Sequence, residues 1–271
     1  MADTKDTKKV GYKKLKDLRR KLTKLTERLV EIYSTDEVIY GCMYLRKYAD
    51  ETMFKTLKEV GLFKVDMLSD IKMVGRLLED EILDNEFYQL AGIETESGQY
   101  LLSDRYIVPI RDITGEVTAW VGWYPDNRKY VTTPTYGFSK NAQFFNVECY
   151  RDCWEKQDGV IFLVEGIFDT LALRSLGFAA LGNMGIELSP TKADMLLRYK
   201  KVIAINDNDI VGQSANKYSG YAKKEKVWYL PPNHCVVLLP DGVKDADDLI
   251  RDYECRTELE NCKQGTMLVK L

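Results

Sequence analysis

From residue 159 onward, short apolar runs alternate with segments long enough for helices, and this alternation limits the chain to few folds. Strands are expected at 160–164, 178–181, 202–206, 226–230 and 235–239, and helices at 168–176, 190–198, 211–222 and 246–253. Strands separated in this way form βαβ units and a mostly parallel sheet. Three of the runs, Val160–Val164, Val202–Ile205 and Val236–Leu239, are followed by acids. The acids come as Glu165-Gly166-Ile167-Phe168-Asp169, as Asn206-Asp207-Asn208-Asp209 and as Asp245-Ala246-Asp247-Asp248. The carboxyl ends of neighbouring parallel strands meet at one sheet edge, where open α/β folds bind ligands. Carboxylates gathered there repel one another and call for hard divalent cations, Mg²⁺ or Mn²⁺, in two or more copies.

Each cluster by itself has a plainer reading. Asp169 and Asp248 suit the first turn of a helix. Asp245 or Asp247 suits an N-cap, and Asp207-Asn208-Asp209 suits a solvated turn. Three clusters at matching strand ends favour a cation site made of Asp207, Asp209, Asp245 and Asp247, with Glu165 as either a further ligand or the general base, and with Glu165, Asp207 and Asp209 as the catalytic acids. Gly166 permits a tight strand-to-helix turn beside Glu165, at a helix N-terminus that favours phosphate.

The first half has a different rhythm. Leu15, Leu18, Leu22, Leu25, Leu29 and Ile32 form a seam along one helix, with Lys and Arg outside it. Residues 1–30 hold 11 Lys and Arg against 4 Asp and Glu, whereas the whole chain carries −3. The helix is expected to dock its seam on the protein, with its basic face open to solvent or to a nucleic-acid backbone. Residues 36–90 read as further helices, with Gly61 and Gly75 as breaks. Tyr106–Ile110 and Val117–Trp123 read as a hairpin turning at Gly115, and Lys129–Thr133 as another extended piece. The expected division is a basic helix at 1–35, an α+β subdomain at 36–155, the α/β catalytic domain at 156–256 and a tail at 257–271. Apolar residues make up 45% of the chain, enough for a real core. No apolar stretch reaches the ~18 residues of a membrane span. The charged N-terminus has no apolar signal core, which points to a cytoplasm, the host's if the chain is viral.

Glu165-Gly166 followed by Asp207-x-Asp209 resembles the Toprim metal site. Asp207-Asn208-Asp209-Ile210-Val211-Gly212-Gln213-Ser214-Ala215, and Leu239-Pro240-Asp241-Gly242 running on to Asp245–Ile250, resemble DnaG-like primases among Toprim proteins. Upstream, Arg105–Asp112 with Gly115-Glu116-Val117, Lys129–Pro134, Phe138-Ser139-Lys140 and Ala91-Gly92-Ile93 are similar to primase segments in the same order. The resemblance spans about residues 85–253. It implies a Toprim fold preceded by a mixed α+β primase subdomain, and primer synthesis from NTPs on single-stranded DNA. It also implies that Arg105, Arg111, Lys129 and Lys140 hold template or nucleotide, although each alone reads as a solvated cation. Tyr130, Tyr136, Phe138, Phe144 and Phe145 are candidates to stack bases, with core packing the commoner use.

The chain departs from the family at Trp123, where an arginine is usual, and at Thr132, where an asparagine is usual. Cys149-x₃-Cys153, Cys255-x₆-Cys262 and the single His234 do not make a zinc ribbon, so no zinc is expected. The short, zinc-free layout suggests a phage or mobile-element primase, or a fragment, with a replicative helicase or a separate zinc-binding protein as the expected partner. A Toprim nuclease and a non-catalytic replication scaffold are the competing readings.

Overall fold

A computed structural model describes residues 11–126, 129–185, 188–207, 234–240, 242–252, 256–264 and 268–270. The expected helix 211–222, the strand 226–230 and Asp209 lie outside the described residues.

The hydrophobic seam yields α1 (Tyr12–Tyr33). Leu18, Leu22, Leu25 and Leu29 are buried, while Ile32 at the end of the seam is exposed. Burial of each leucine contributes about 1.5–3 kcal/mol, far more than helix propensity. The cations outside the seam largely meet the protein's own acids. Arg20 and Lys24 pair with the buried Glu81, Lys14 with Glu86 and Arg19 with Asp112. Leu25→Ala is expected to lower unfolding free energy by about 2–5 kcal/mol. Urea unfolding followed by circular dichroism reads this directly, and an unchanged midpoint would mean that α1 does not belong to the core.

Short capped helices follow: α2 (Asp36–Arg46), α3 (Glu51–Val60), α4 (Leu68–Arg76) and α5 (Asn85–Leu90). Thr35, Asp50 and Asp84 each accept a hydrogen bond from a first-turn N–H, as N-caps do. Gly61 ends α3 at φ 80°, the left-handed cap that glycine favours. The break expected at Gly75 falls one residue later, where α4 ends at Arg76. Glycine is needed there for room: a Cβ would strike the Tyr88 hydroxyl.

The hairpin forms as expected. Strands β1 (Tyr106–Arg111), β2 (Val117–Trp123) and β3 (Tyr130–Thr132) make an antiparallel sheet in that order. After α6 (Tyr150–Gln157) come β4 (Val160–Val164), α7 (Ile167–Ser175), β5 (Ala180–Gly182), α8 (Pro190–Leu196) and β6 (Lys201–Ile205). Then follow β7 (His234–Leu238), α9 (Ala246–Asp252), α10 (Arg256–Gln264) and β8 (Leu268–Lys270). The stretch read as a tail thus contains α10 and a strand that pairs with β7.

The second sheet has the order β5-β4-β6-β7-β8, with every pairing parallel. The chain leaves β4 toward β5 and then returns to the other side of β4 as β6. The order therefore reverses between β4 and β6, and a crevice opens at their carboxyl ends. One core cluster runs from Ile39 and Leu57 through Val121 and Trp123 to Phe168 and Leu171, so the helices, the antiparallel sheet and α7 share their packing.

Candidate active site

The crevice opens into a cleft of about 630 Å³. Glu165, Asp169, Asp207, Asp245, Asp247 and Asp248 line it from the parallel-sheet side. Trp123, Tyr130, Thr132 and Lys140 line it from the antiparallel-sheet side, and Arg46 and Lys47 from the end of α2. The three acid clusters therefore converge, as expected of adjacent strands β4, β6 and β7.

Glu165 follows the last residue of β4, and Asp207 lies two residues beyond β6. Val164 and Ile205 are register partners, so the two acids leave adjacent strands side by side. The Asp207 backbone N–H donates to Glu165 Oε1 at 3.3 Å. Asp169 is buried in the first turn of α7, where its Oδ2 accepts from the Gly166 N–H at 3.0 Å. A Cβ on residue 166 would collide with that carboxylate, so glycine is required by close approach. Asp169 Oδ1 also accepts from the Asp247 N–H at 3.1 Å, which joins the starts of α7 and α9. Burial pushes the Asp169 carboxyl well above the ordinary carboxylate value, and the charges of Asp245, Asp247 and Asp207 push it further.

Asp245 caps α9, its Oδ1 accepting from the Asp248 N–H at 2.8 Å, and Lys244 donates to its Oδ2 at 3.0 Å. Asp247 is 2% exposed. Its Oδ2 accepts from the Arg46 guanidinium and its Oδ1 from the Tyr48 hydroxyl. Burial raises the Asp247 carboxyl, and Arg46 and Tyr48 hold part of that rise back. Arg251 donates to Asp248 and lies 3.7 Å from Asp247 Oδ2.

Of the four expected basic residues, Lys140 alone is brought to the cleft lining. Arg105 lies 5.2 Å from the Tyr124 ring centroid and donates to the Lys129 carbonyl at 3.4 Å, near β3. Arg111 closes the β1–β2 turn by donating to the Gly115 carbonyl at 2.9 Å. Tyr130 lines the cleft and is half exposed, whereas Phe144 and Phe145 are fully buried core residues. Arg46, Lys244 and Arg251 were missed. Arg251 was within reach of spacing, since it stands three and four residues after Asp248 and Asp247. Arg46 left no signal, being 201 positions from Asp247.

Behind the cleft, Lys192 is 1% exposed and donates to Asn183 Oδ1 at 2.9 Å and to the Asn183 carbonyl. The next residue, Met184, donates its N–H to the Glu165 carbonyl at 2.9 Å, so Lys192 backs the segment beside Glu165. Burial, helped by the charge of Lys140, lowers the Lys192 ammonium to about 7. Between that value and the ordinary lysine value the unfolded chain binds the extra proton, so stability rises with pH across the window. Lys192→Met is expected to flatten that rise. Urea unfolding at pH 7 and pH 9.5 tests it, and an equal slope in both proteins would refute it.

Residues 162–250, which carry β4, β6, β7 and α9, match the family described as Toprim-like. The chain carries a Toprim-like domain. About two thirds of the chain is similar in sequence to a DNA primase, and about nine-tenths is similar in fold to DnaG primase domains. A DNA primase of Aquifex aeolicus (strain VF5) is 28% identical over 189 residues, which cover 67% of this chain and 37% of that protein. The chain thus spans little more than a third of the length of that relative. The RNA polymerase domain of the Mycobacterium tuberculosis primase DnaG superposes with a TM-score of 0.69 at 21% identity, covering 90% of this chain and 82% of the other. A DnaG primase catalytic domain bound to single-stranded DNA gives 0.69 at 21% identity, covering 93% and 80%. In the two structural matches about nine-tenths of this chain is covered, so the likeness in fold extends over both sheets.

The donor set of the Toprim-like domain suits a hard cation. Glu165, Asp207 and Asp245 supply carboxylate oxygens, and the like charges around Asp169 would be relieved by a divalent ion. Among the described residues the carboxylates share the cleft without closing into a three-ligand group. Among those residues, too, no helix is long and apolar enough to cross a membrane.

Proposed function

We propose that the chain is the RNA-polymerase core of a DnaG-like primase, joining ribonucleoside triphosphates into short primers on single-stranded DNA and releasing pyrophosphate. The observation that carries this is the acidic edge at the β4–β6 reversal, which faces the antiparallel sheet across one cleft. A similar structure, a DnaG primase catalytic domain bound to single-stranded DNA, supports the choice of template.

Glu165, Asp207 and Asp245 would hold Mg²⁺ or Mn²⁺, together with Asp209, which lies outside the described residues. Bound there, such ions would neutralise phosphate charge and activate a 3′-hydroxyl. The chain's own share is positioning. The Asp207 N–H orients Glu165, and Gly166 lets α7 begin against the cleft floor. Lys140, facing the acids, is placed to hold nucleotide phosphate or template backbone. Arg105, Arg111 and Lys129 lie outside the cleft lining and would serve the path of the template. The boundary near residue 155 separates the two walls, and their shared core keeps them in register.

The test is incubation with single-stranded DNA, four NTPs and Mn²⁺. Primers that disappear in Asp207→Asn support the reading. Cleavage of the DNA would make the chain a nuclease, and inertness would make it a scaffold.

A further inference from the structure

Arg46 is the feature that the proposed chemistry does not use. It is the last residue of α2, yet its guanidinium lies 4.3 Å from the Phe168 ring centroid, 5.4 Å from that of Trp123 and 5.9 Å from that of Tyr48. Phe168 belongs to α7 and Trp123 to β2, so the cage is drawn from the helices and from both sheet regions. Within it Arg46 meets Asp247, and Tyr48 takes the second oxygen of that carboxylate. Arg251 of α9 donates to the Arg46 carbonyl at 3.5 Å, a second tie between α2 and α9. Burial works against the charge of Arg46, and Tyr48 and Asp247 overcome it. An aromatic cage of this kind favours a guanidinium over a hydrated ammonium.

We propose that Arg46 is a positioning residue and the built-in counter-ion of the acidic cleft. It neutralises Asp247, so that this carboxylate anchors the start of α9 instead of holding a cation, and it leaves Glu165, Asp207 and Asp245 to do so. Both oxygens of Asp247 are held by groups buried with it, Arg46 and Tyr48, and its N–H holds Asp169, whereas the oxygens of Asp245 meet one backbone N–H and the exposed Lys244, whose ammonium can swing into solvent. A buried charge pair of this kind contributes little net charge to the cleft, whereas either partner alone would change the field at a bound cation. This inference rests on the divalent-cation reading of the site.

The experiment is Mn²⁺ titration of the full chain, with free Mn²⁺ read by electron paramagnetic resonance and folding checked by circular dichroism. Arg46→Gln removes the charge and keeps a donor toward Asp247, and is expected to tighten Mn²⁺ binding by about tenfold. Arg46→Lys keeps the charge and is expected to stay within about twofold of the unsubstituted protein. Asp247→Asn leaves Arg46 uncompensated and is expected to weaken binding by about tenfold. The double variant Arg46→Gln/Asp247→Asn decides the matter, because restored neutrality returns the affinity to within about twofold of the starting value. A double variant as weak as Asp247→Asn would make Asp247 a ligand and overturn the proposal. So would an Arg46→Gln protein that folds but binds Mn²⁺ no more tightly. If the unsubstituted protein binds no Mn²⁺, and Asp207→Asn changes nothing, the divalent-cation reading falls and this inference falls with it.

Discussion

Asp207→Asn is expected to lower primer synthesis by about 10³-fold while the protein stays folded. The substitution keeps the shape and the backbone N–H that donates to Glu165 Oε1, so the β4–β6 edge is preserved. What it removes is the carboxylate and, on the proposed reading, one hard ligand, at the point where the strand order reverses. Phosphoryl transfer depends on charge neutralisation and alignment rather than on an activated nucleophile of the protein, so a loss of this size follows from one ligand. Primer yield at saturating NTP, measured beside a thermal melt, separates the two effects. Unchanged yield with an unchanged melt would remove Asp207 from the reaction.

Trp120→Ala is expected to cost about 3–5 kcal/mol of stability. Trp120 is fully buried in β2, and its ring meets Phe63 edge-on at 5.5 Å between centroids. Its Nε1–H donates to Thr26 Oγ1 at 2.8 Å, and Thr26 in turn donates to the Leu22 carbonyl. Truncation therefore opens a cavity between α1 and the antiparallel sheet and leaves a buried hydroxyl short of a partner. Differential scanning calorimetry should show a Tm lower by about 10 °C. A shift of a degree or two would mean that α1 is not held through this residue.

The parallel sheet was legible because its signal is local. Val160–Val164 and its neighbours are continuous apolar runs, as strands buried on both faces must be, and the expected span of β4 agrees with the observed one. The acids that follow β4, β6 and β7 could be placed on one edge because parallel strands send their carboxyl ends the same way. The contribution of residues 257–271 was not legible. The strand β8 is three residues long, and its pairing with β7 depends on where α10 delivers it. The second demand on Gly75 was not legible for a related reason, since the room it leaves answers to Tyr88 across space.

By itself, the sequence determined that the chain would form a parallel α/β sheet with the acids that follow β4, β6 and β7 at one edge, beside an antiparallel hairpin unit. Strand period, helix-length spacing and acids at strand ends are all readable within a few residues of each other. Only the tertiary structure decided which cations meet those acids. Lys140 reaches the cleft while Arg111 closes a turn, and Arg46 crosses 201 positions to neutralise Asp247. An exposed and a buried cation look alike in a sequence. Coulombic pairing falls off with distance in space, and the packing of α2, β2 and α7 around one aromatic cage is what sets that distance.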